Sequence, residues 1–520
     1  MGQPAFAALH PEGEKPPVHR RPLAPRVRTL TGRRLAIVLT MPPGSGLEEV
    51  EADLRALLGA VAPGAVVRTL RRKDFMVDDP DERAALVEAA DAAVLVIGPT
   101  ATSAFVGVAY ASGLEAAGLP TALVVPASVR ATADHSIGRV GVPLRVARTA
   151  TDAVDALTRP LLDVESDRRT IPAARPPEVA CTGTLAEVTE HFHAQGWTDG
   201  LPIVPPTAEA VEVMLGGTTR HADEVVTTTL RPEGLPARVR EVAIAAVMAG
   251  ARPEQLPAIL AAAEVHGDVE FESMTRSVNS FAFAYMVHGP AAREAGLTGG
   301  LGALGPGHRG NATLGRALGL LLRTAGGARL GVTTAATQGN PASWAFAFAE
   351  NEDASPWPPA HVADGFAPTD GAVTVFSGGW SHFGNFYYGS VDDLVAAASA
   401  IDTLTGVLVL LSAKRAALLA RDGWTKDGLE EHVWRGATQP VAELRAGPFF
   451  PLMRALMERP PSARGPASWP ADYLTRGEDE LVPRFPRAGV RVAVVGADIS
   501  STMQLWALTR HATVPIDPWR

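Results

Sequence analysis

From Arg34 onward, apolar positions fall into short runs of strand length separated by stretches with helical spacing. Leu35–Thr40, Ala65–Leu70, Ala93–Ile97 and Thr121–Val125 read as strands. Between them, Gly46–Val61, Glu82–Ala90 and Ser103–Ala117 read as helices. Leu47, Val50, Leu54 and Leu57 recur on one face of the first. Strands alternating with helices imply a parallel sheet covered on both faces, with functional loops at the carboxyl ends of its strands. The expected fold is therefore α/β, with a flavodoxin-like domain over residues 33–163 that Thr151–Leu162 closes as a last helix. Residues 1–32 mix Pro, Arg and His without periodicity and are expected to form a disordered leader. Residues 164–180, with their Pro-Ala-Ala-Arg-Pro-Pro stretch, read as a linker.

Residues 181–520 have a mixed pattern. Arg238–Ala249 and Pro253–Val265 predict a helix pair, and Thr425–Trp434 a further helix. Phe281–Val287, Trp344–Ala349, Gly371–Phe376, Gly406–Leu411 and Arg491–Val495 predict strands. This is a larger, mixed α/β domain whose topology the pattern does not specify. It is the expected seat of chemistry.

Composition narrows the function classes. The chain has 520 residues, 46% of them hydrophobic, so sizeable cores are available. With 47 basic and 56 acidic residues the net charge is −9, which argues against a general nucleic-acid binder. The single cysteine, Cys181, excludes an intramolecular disulfide or a multi-thiolate zinc site. No apolar run reaches the length of a membrane span and no secretory apolar region opens the chain. A cytoplasmic protein with a small-molecule substrate and no membrane or nucleic-acid partner is expected; homo-oligomerisation is left open.

The most distinctive stretch is Gly299–Arg316, with six glycines between Gly299 and Gly310 followed by a helical pattern. Free N–H groups at a helix start favour an anion. Arg309, Asn311 and Arg316 are therefore expected to hold a carboxylate or phosphate, with His308 beside them. The competing reading is a turn whose glycines let backbone pass close to backbone. Glu350 and Glu352 follow an apolar strand at i and i+2 and can converge on one ligand as acid and base. They can equally serve as oxygen ligands for a divalent metal, with His361 or His266 alongside, and Glu270 is a further candidate ligand. His288, His382, Asn351 and Asp199 border glycine-rich loops and are candidate substrate contacts. Each also has a plain structural reading: a strand terminator for His288, an Asp-Gly turn for Asp199.

Two resemblances add to this. The segment "VLVIGPTATSAFVGVAYASGLEAAGLPTALVV", Val94–Val125, resembles the core of the UGSC (seleno)protein family, through Leu114-Glu115 and Gly118-Leu119-Pro120-Thr121. Thr100 then stands at the selenocysteine or cysteine position, Ala101 at the glycine, Thr102 at the serine and Ser103 at the second cysteine. With no thiolate there, the reductive chemistry that the resemblance implies loses its nucleophile. The motifs "TDGLPIVPPT", "GPGHRGNATLGRA" and "AENEDASPWPPAHVADGF" resemble a domain that commonly accompanies UGSC-type sequences in bacterial proteins. The resulting expectation is an enzyme acting on a small carboxylate- or phosphate-bearing substrate. It would be a lyase or hydrolase using Glu350, Glu352 and His308, with a divalent metal as a candidate cofactor. The alternatives are a non-catalytic ligand-binding or partner subunit and a reductase-related activity.

Overall fold

The computed structural model describes residues 5–41, 43–72, 79–268, 271–277, 279–384, 390–401, 405–447, 450–458 and 469–520. The first sheet is built from β1 (Arg34–Leu39), β2 (Val66–Arg71), β3 (Ala92–Val96), β4 (Thr121–Val124) and β5 (Arg145–Ala147). All its pairs are parallel and its order is β2-β1-β3-β4-β5, the doubly wound arrangement that the sequence pattern predicts. Alternation along β1 divides the burial. Leu35, Ile37 and Leu39 pack with Leu54 and Leu58 of helix Glu48–Val61 on one face. Ala36 and Val38 pack with Tyr110, Ala111 and Leu114 of helix Ala101–Ala116 on the other.

The second sheet has six strands in mixed orientation: β6 (Ala282–His288), β7 (Ala347–Ala349), β8 (Ala372–Gly384), β9 (Gly406–Leu411), β10 (Val490–Val494) and β11 (Met503–Pro515). Their order is β7-β6-β8-β11-β9-β10. β6 and β7 run parallel, as do β9 and β10, while the central pairs are antiparallel. Helices Val239–Ala249, Leu256–Val265 and Arg309–Arg323 pack over the sheet residues Tyr285, Val287, Ala347 and Ala349. Met286, Phe348, Phe376, Leu408 and Trp506 fill a second core.

Three expectations differ from the structure here. Residues 5–32 are placed, not a loose leader. Phe6–Leu9 pairs antiparallel with Val179–Gly183, and Val18–His19 pairs with Thr170–Ile171 inside the supposed linker. The Glu115 carboxylate accepts the N–H groups of Ala24 and Thr121, both at 2.6 Å, and pairs with Arg26. These pairings are short and their partners lie far off in sequence, so local periodicity carries no sign of them. Likewise, the expected strand Gly371–Phe376 is only the first part of a thirteen-residue strand, Ala372–Gly384.

Candidate functional site

The parallel strands β6 and β7 end side by side, and their carboxyl ends carry His288 and Glu350. The 3-10 turn Glu352–Ala354 follows at once, and a second one, Ala360–Asp364, returns with His361. One ligand atom from each of His288, Glu350, Glu352 and His361 lies within 4.8 Å of all the others. His288 Nδ1 is 3.4 Å from Glu350 Oε2 and 4.0 Å from Glu352 Oε1, and the two imidazole rings are 4.6 Å apart. The side chains of His288 and Glu350 have no exposed surface, and that of Glu352 is 16% exposed.

Each member is held from behind. His288 Nε2 meets Thr374 Oγ1 at 2.8 Å, and His361 Nε2 donates to the Ala367 carbonyl at 3.0 Å. Glu350 accepts the Ala360 N–H at 2.6 Å and pairs with Lys426 at 2.8 Å. Glu352 accepts the Gly289 N–H at 2.8 Å. Burial pushes the Glu350 carboxyl up, but Lys426, His288 and the Ala360 N–H outweigh it and bring it to about 2. Glu352 moves the other way, raised by burial with the Glu350 charge adding to it. Burial, followed by the neighbouring His288, lowers His361.

The glycine loop supports this cluster from below. A Cβ on Gly299 would stand 2.5 Å from the Ala349 carbonyl and 2.6 Å from the Asn351 nitrogen. Only glycine lets the loop pass under the end of β7. The close-packing reading of this loop is thus the one realised, and its polar groups are committed to structure. Asn311 bridges Thr298 and the Ala303 carbonyl. Arg309 donates to the Gly250 carbonyl, and His308 Nε2 to the Leu301 carbonyl. Arg316 pairs with Asp199 at 2.8 Å. None of these four joins Glu350 in the cluster, in contrast to the expectation of one combined site.

The remaining candidates separate in the same way. Asn351 ties its backbone N–H to Val494 and its side chain to the Gly496 carbonyl. His266 is fully buried 2.8 Å from the Tyr285 hydroxyl, away from His361, with burial taking it down to about 3. Glu270 lies outside the described residues, as does the side chain of His382, whose backbone sits opposite Leu505 in β8. In the first domain, Thr100 caps helix Ala101–Ala116 by accepting from the Ser103 N–H, and Ser103 Oγ donates to the Gly98 carbonyl at 2.7 Å. Those hydroxyls are spent on the helix start. A cavity of about 890 Å³ does lie at the carboxyl ends of β3 and β4, bordered by Ser45, Arg130 and Arg148.

A cavity of about 540 Å³ opens at the other ends of β6 and β7. Phe283, Phe346, Leu322 and Trp344 wall it, and Tyr285, Asn340 and Arg323 supply polar groups. Arg323 ends helix Arg309–Arg323 half-buried, with no hydrogen bond or ion pair to any described residue. Burial lowers its affinity for its proton, against the opposing charge of Asp199. Asp199 is itself engaged by Arg316. None of His288, Glu350, Glu352 or His361 borders this cavity. Arg323 and Tyr285, which line this cavity, and Thr374 and Lys426, which brace His288 and Glu350, are residues that the sequence reading missed. Arg323 left one signal: it follows Arg316 by seven positions and so shares its helical face.

No protein-family model, no curated protein and no solved structure matches this chain.

Proposed function

We propose that the protein binds a small organic acid with an apolar body in the cavity between Arg323 and Trp344. The reading rests on Arg323. A guanidinium half-removed from water carries a desolvation cost that an internal partner normally offsets, and among the described residues Arg323 has no hydrogen bond or ion pair, only the charge of Asp199, which Arg316 already engages. A carboxylate or phosphate on the ligand supplies that partner, and the aromatic walls take the rest. The anionic ligand class expected from the glycine loop is retained, with its anchor moved one helix length away.

Catalysis at this cavity, as a lyase or hydrolase, would draw on Tyr285. If His266 Nε2–H donates to the phenol oxygen, the Tyr285 hydroxyl proton is free to turn to a ligand. The reverse arrangement leaves a buried His266 N–H without an acceptor, the costlier of the two. Burial raises the Tyr285 hydroxyl far above its ordinary range, so it stays protonated and offers a hydrogen bond to a developing charge instead of acting as a base. A non-catalytic binding protein is the second reading. It is favoured because the one carboxylate lining the cavity, Asp199, is bound to Arg316.

Calorimetric titration with benzoate, phenylacetate, phenyl phosphate and the matching amides tests the ligand class. Acids should bind, amides should not, and Arg323→Met should lose the acids at least tenfold. Equal binding of acids and amides would discard the reading. Tyr285→Phe then separates the two versions: an enzyme keeps binding and loses turnover.

A further inference from the structure

We propose that His288, Glu350, Glu352 and His361 form a closed site for one divalent transition-metal ion. Proton positions around the cluster lead there. Asp364 is ion-paired with Arg491 at 2.8 Å, so its carboxylate only accepts. It accepts from the Thr513 hydroxyl at 2.6 Å. Thr513 has thereby used its one proton, and the 2.9 Å contact between Thr513 Oγ1 and Thr374 Oγ1 needs the Thr374 proton. Thr374 must then accept from His288, which places a proton on His288 Nε2 and, in the neutral imidazole, leaves Nδ1 a lone pair. His361 Nε2 faces a carbonyl and must also be the protonated nitrogen, so its Nδ1 is a lone pair too.

Both Nδ1 atoms are buried, and neither has a hydrogen-bond partner among the described residues. They face two carboxylates. With both imidazoles neutral, two nitrogen lone pairs and two carboxyl groups thus converge, and Lys426 compensates only the far oxygen of Glu350. The 3.4 Å between His288 Nδ1 and Glu350 Oε2 is too long for a charge-assisted hydrogen bond. It matches the roughly 3.4 Å between neighbouring ligands of a tetrahedral ion with bonds of about 2.0–2.2 Å. Two imidazoles with two carboxylates suit zinc, manganese, iron or cobalt. Calcium and magnesium favour oxygen alone. The outward nitrogens are already anchored, as the imidazoles of metal sites are. Asp364, Thr513 and Thr374 act as positioning residues that set the tautomer of His288.

An ion here would join the ends of β6 and β7 to the turn that carries His361. The site is independent of the acid-binding cavity, since the two share no residue.

The test uses the full chain, stripped with a chelator, titrated with Zn²⁺ or Co²⁺ and followed by elemental analysis, visible absorption and thermal unfolding. One equivalent should bind, Co²⁺ should give tetrahedral d–d bands, and the unfolding midpoint should rise. His361→Ala and the Glu350→Gln/Glu352→Gln pair should each abolish uptake. Thr513→Val, which leaves all four ligands in place, should weaken binding about 10–100-fold. If the stripped wild-type chain takes up neither ion at micromolar concentration, or if His361→Ala takes up Co²⁺ with the same bands, the proposal fails.

Discussion

The Asp199 carboxylate takes both Nε and Nη2 of Arg316, at 2.8 and 3.0 Å, across 117 residues of chain. Arg316 Nη2 also donates to the Pro202 carbonyl at 2.7 Å, and the Trp344 indole to the Asp199 carbonyl at 3.2 Å. Two of the most distinctive motifs, Thr-Asp-Gly-Leu-Pro and the glycine loop with its helix, are thereby clamped at the rim of the cavity proposed to bind an organic acid. Both side chains are largely buried, at 17% and 10% exposure. Removing either partner strands the other, so Asp199→Asn or Arg316→Met should each cost about 3–5 kcal/mol. The double variant should cost clearly less than the sum, measured by urea denaturation in a double-mutant cycle.

Glu115 joins the N-terminal segment to the first domain. Its buried carboxylate serves Ala24, Thr121 and Arg26 together. Glu115→Ala should destabilise the first domain by about 3–5 kcal/mol. It should also open residues 10–22 to limited proteolysis, read by mass spectrometry of the fragments. A digestion pattern like that of the wild type would mean that the segment is held without this carboxylate.

His266 sets an acid limit. Its folded value of about 3 lies below the ordinary 6.5 because burial disfavours the imidazolium. The unfolded chain therefore binds the proton first as pH falls. The contribution is complete above pH 6.5 and is lost progressively between about 6.5 and 3. His266→Gln cannot titrate, and it should show a smaller fall in urea midpoint between pH 7 and pH 4.5 than the wild type.

Gly296, just before the glycine loop, and Gly299 within it separate conformation from contact. Gly296 has φ +68° with open space around its Cβ position, so Gly296→Ala should cost about 1–2 kcal/mol. Gly299→Ala drives a methyl into the backbone at Ala349–Asn351. It should cost several kcal/mol by the measure of overpacked cores. It should also displace Glu350, which a shift of the Lys426 side-chain resonances would report.

Much of the architecture was legible in the chain itself, because doubly wound sheets write their periodicity locally. The core strands and helices of the first domain, the strand Gly406–Leu411 and the helix after Thr425 follow from runs of apolar side chains and from caps a few residues away. Glu350, Glu352, His288 and His361 were all singled out as polar residues at strand ends or in nearby loops, a local property. That Glu350, Glu352 and His361 could share one ligand was among the readings of the sequence; that His288 and not His266 stands with them was not legible, since it depends on β6 and β7 lying parallel.

Composition and local pattern alone determined the α/β class, the sheet of the first domain and the set of polar residues from which any site could be drawn. Tertiary structure alone decided how that set divides. It spent Arg309, Asn311 and Arg316 on backbone carbonyls and on Asp199, left Arg323 with no hydrogen bond or ion pair among the described residues, and turned the Nδ1 atoms of two imidazoles toward two carboxyl groups. The physical reason is that hydrogen bonds and ion pairs satisfy a charge wherever the fold happens to bring a partner. Whether a polar residue is free to act is settled by neighbours more than a hundred residues away, as Asp199 settles it for Arg316.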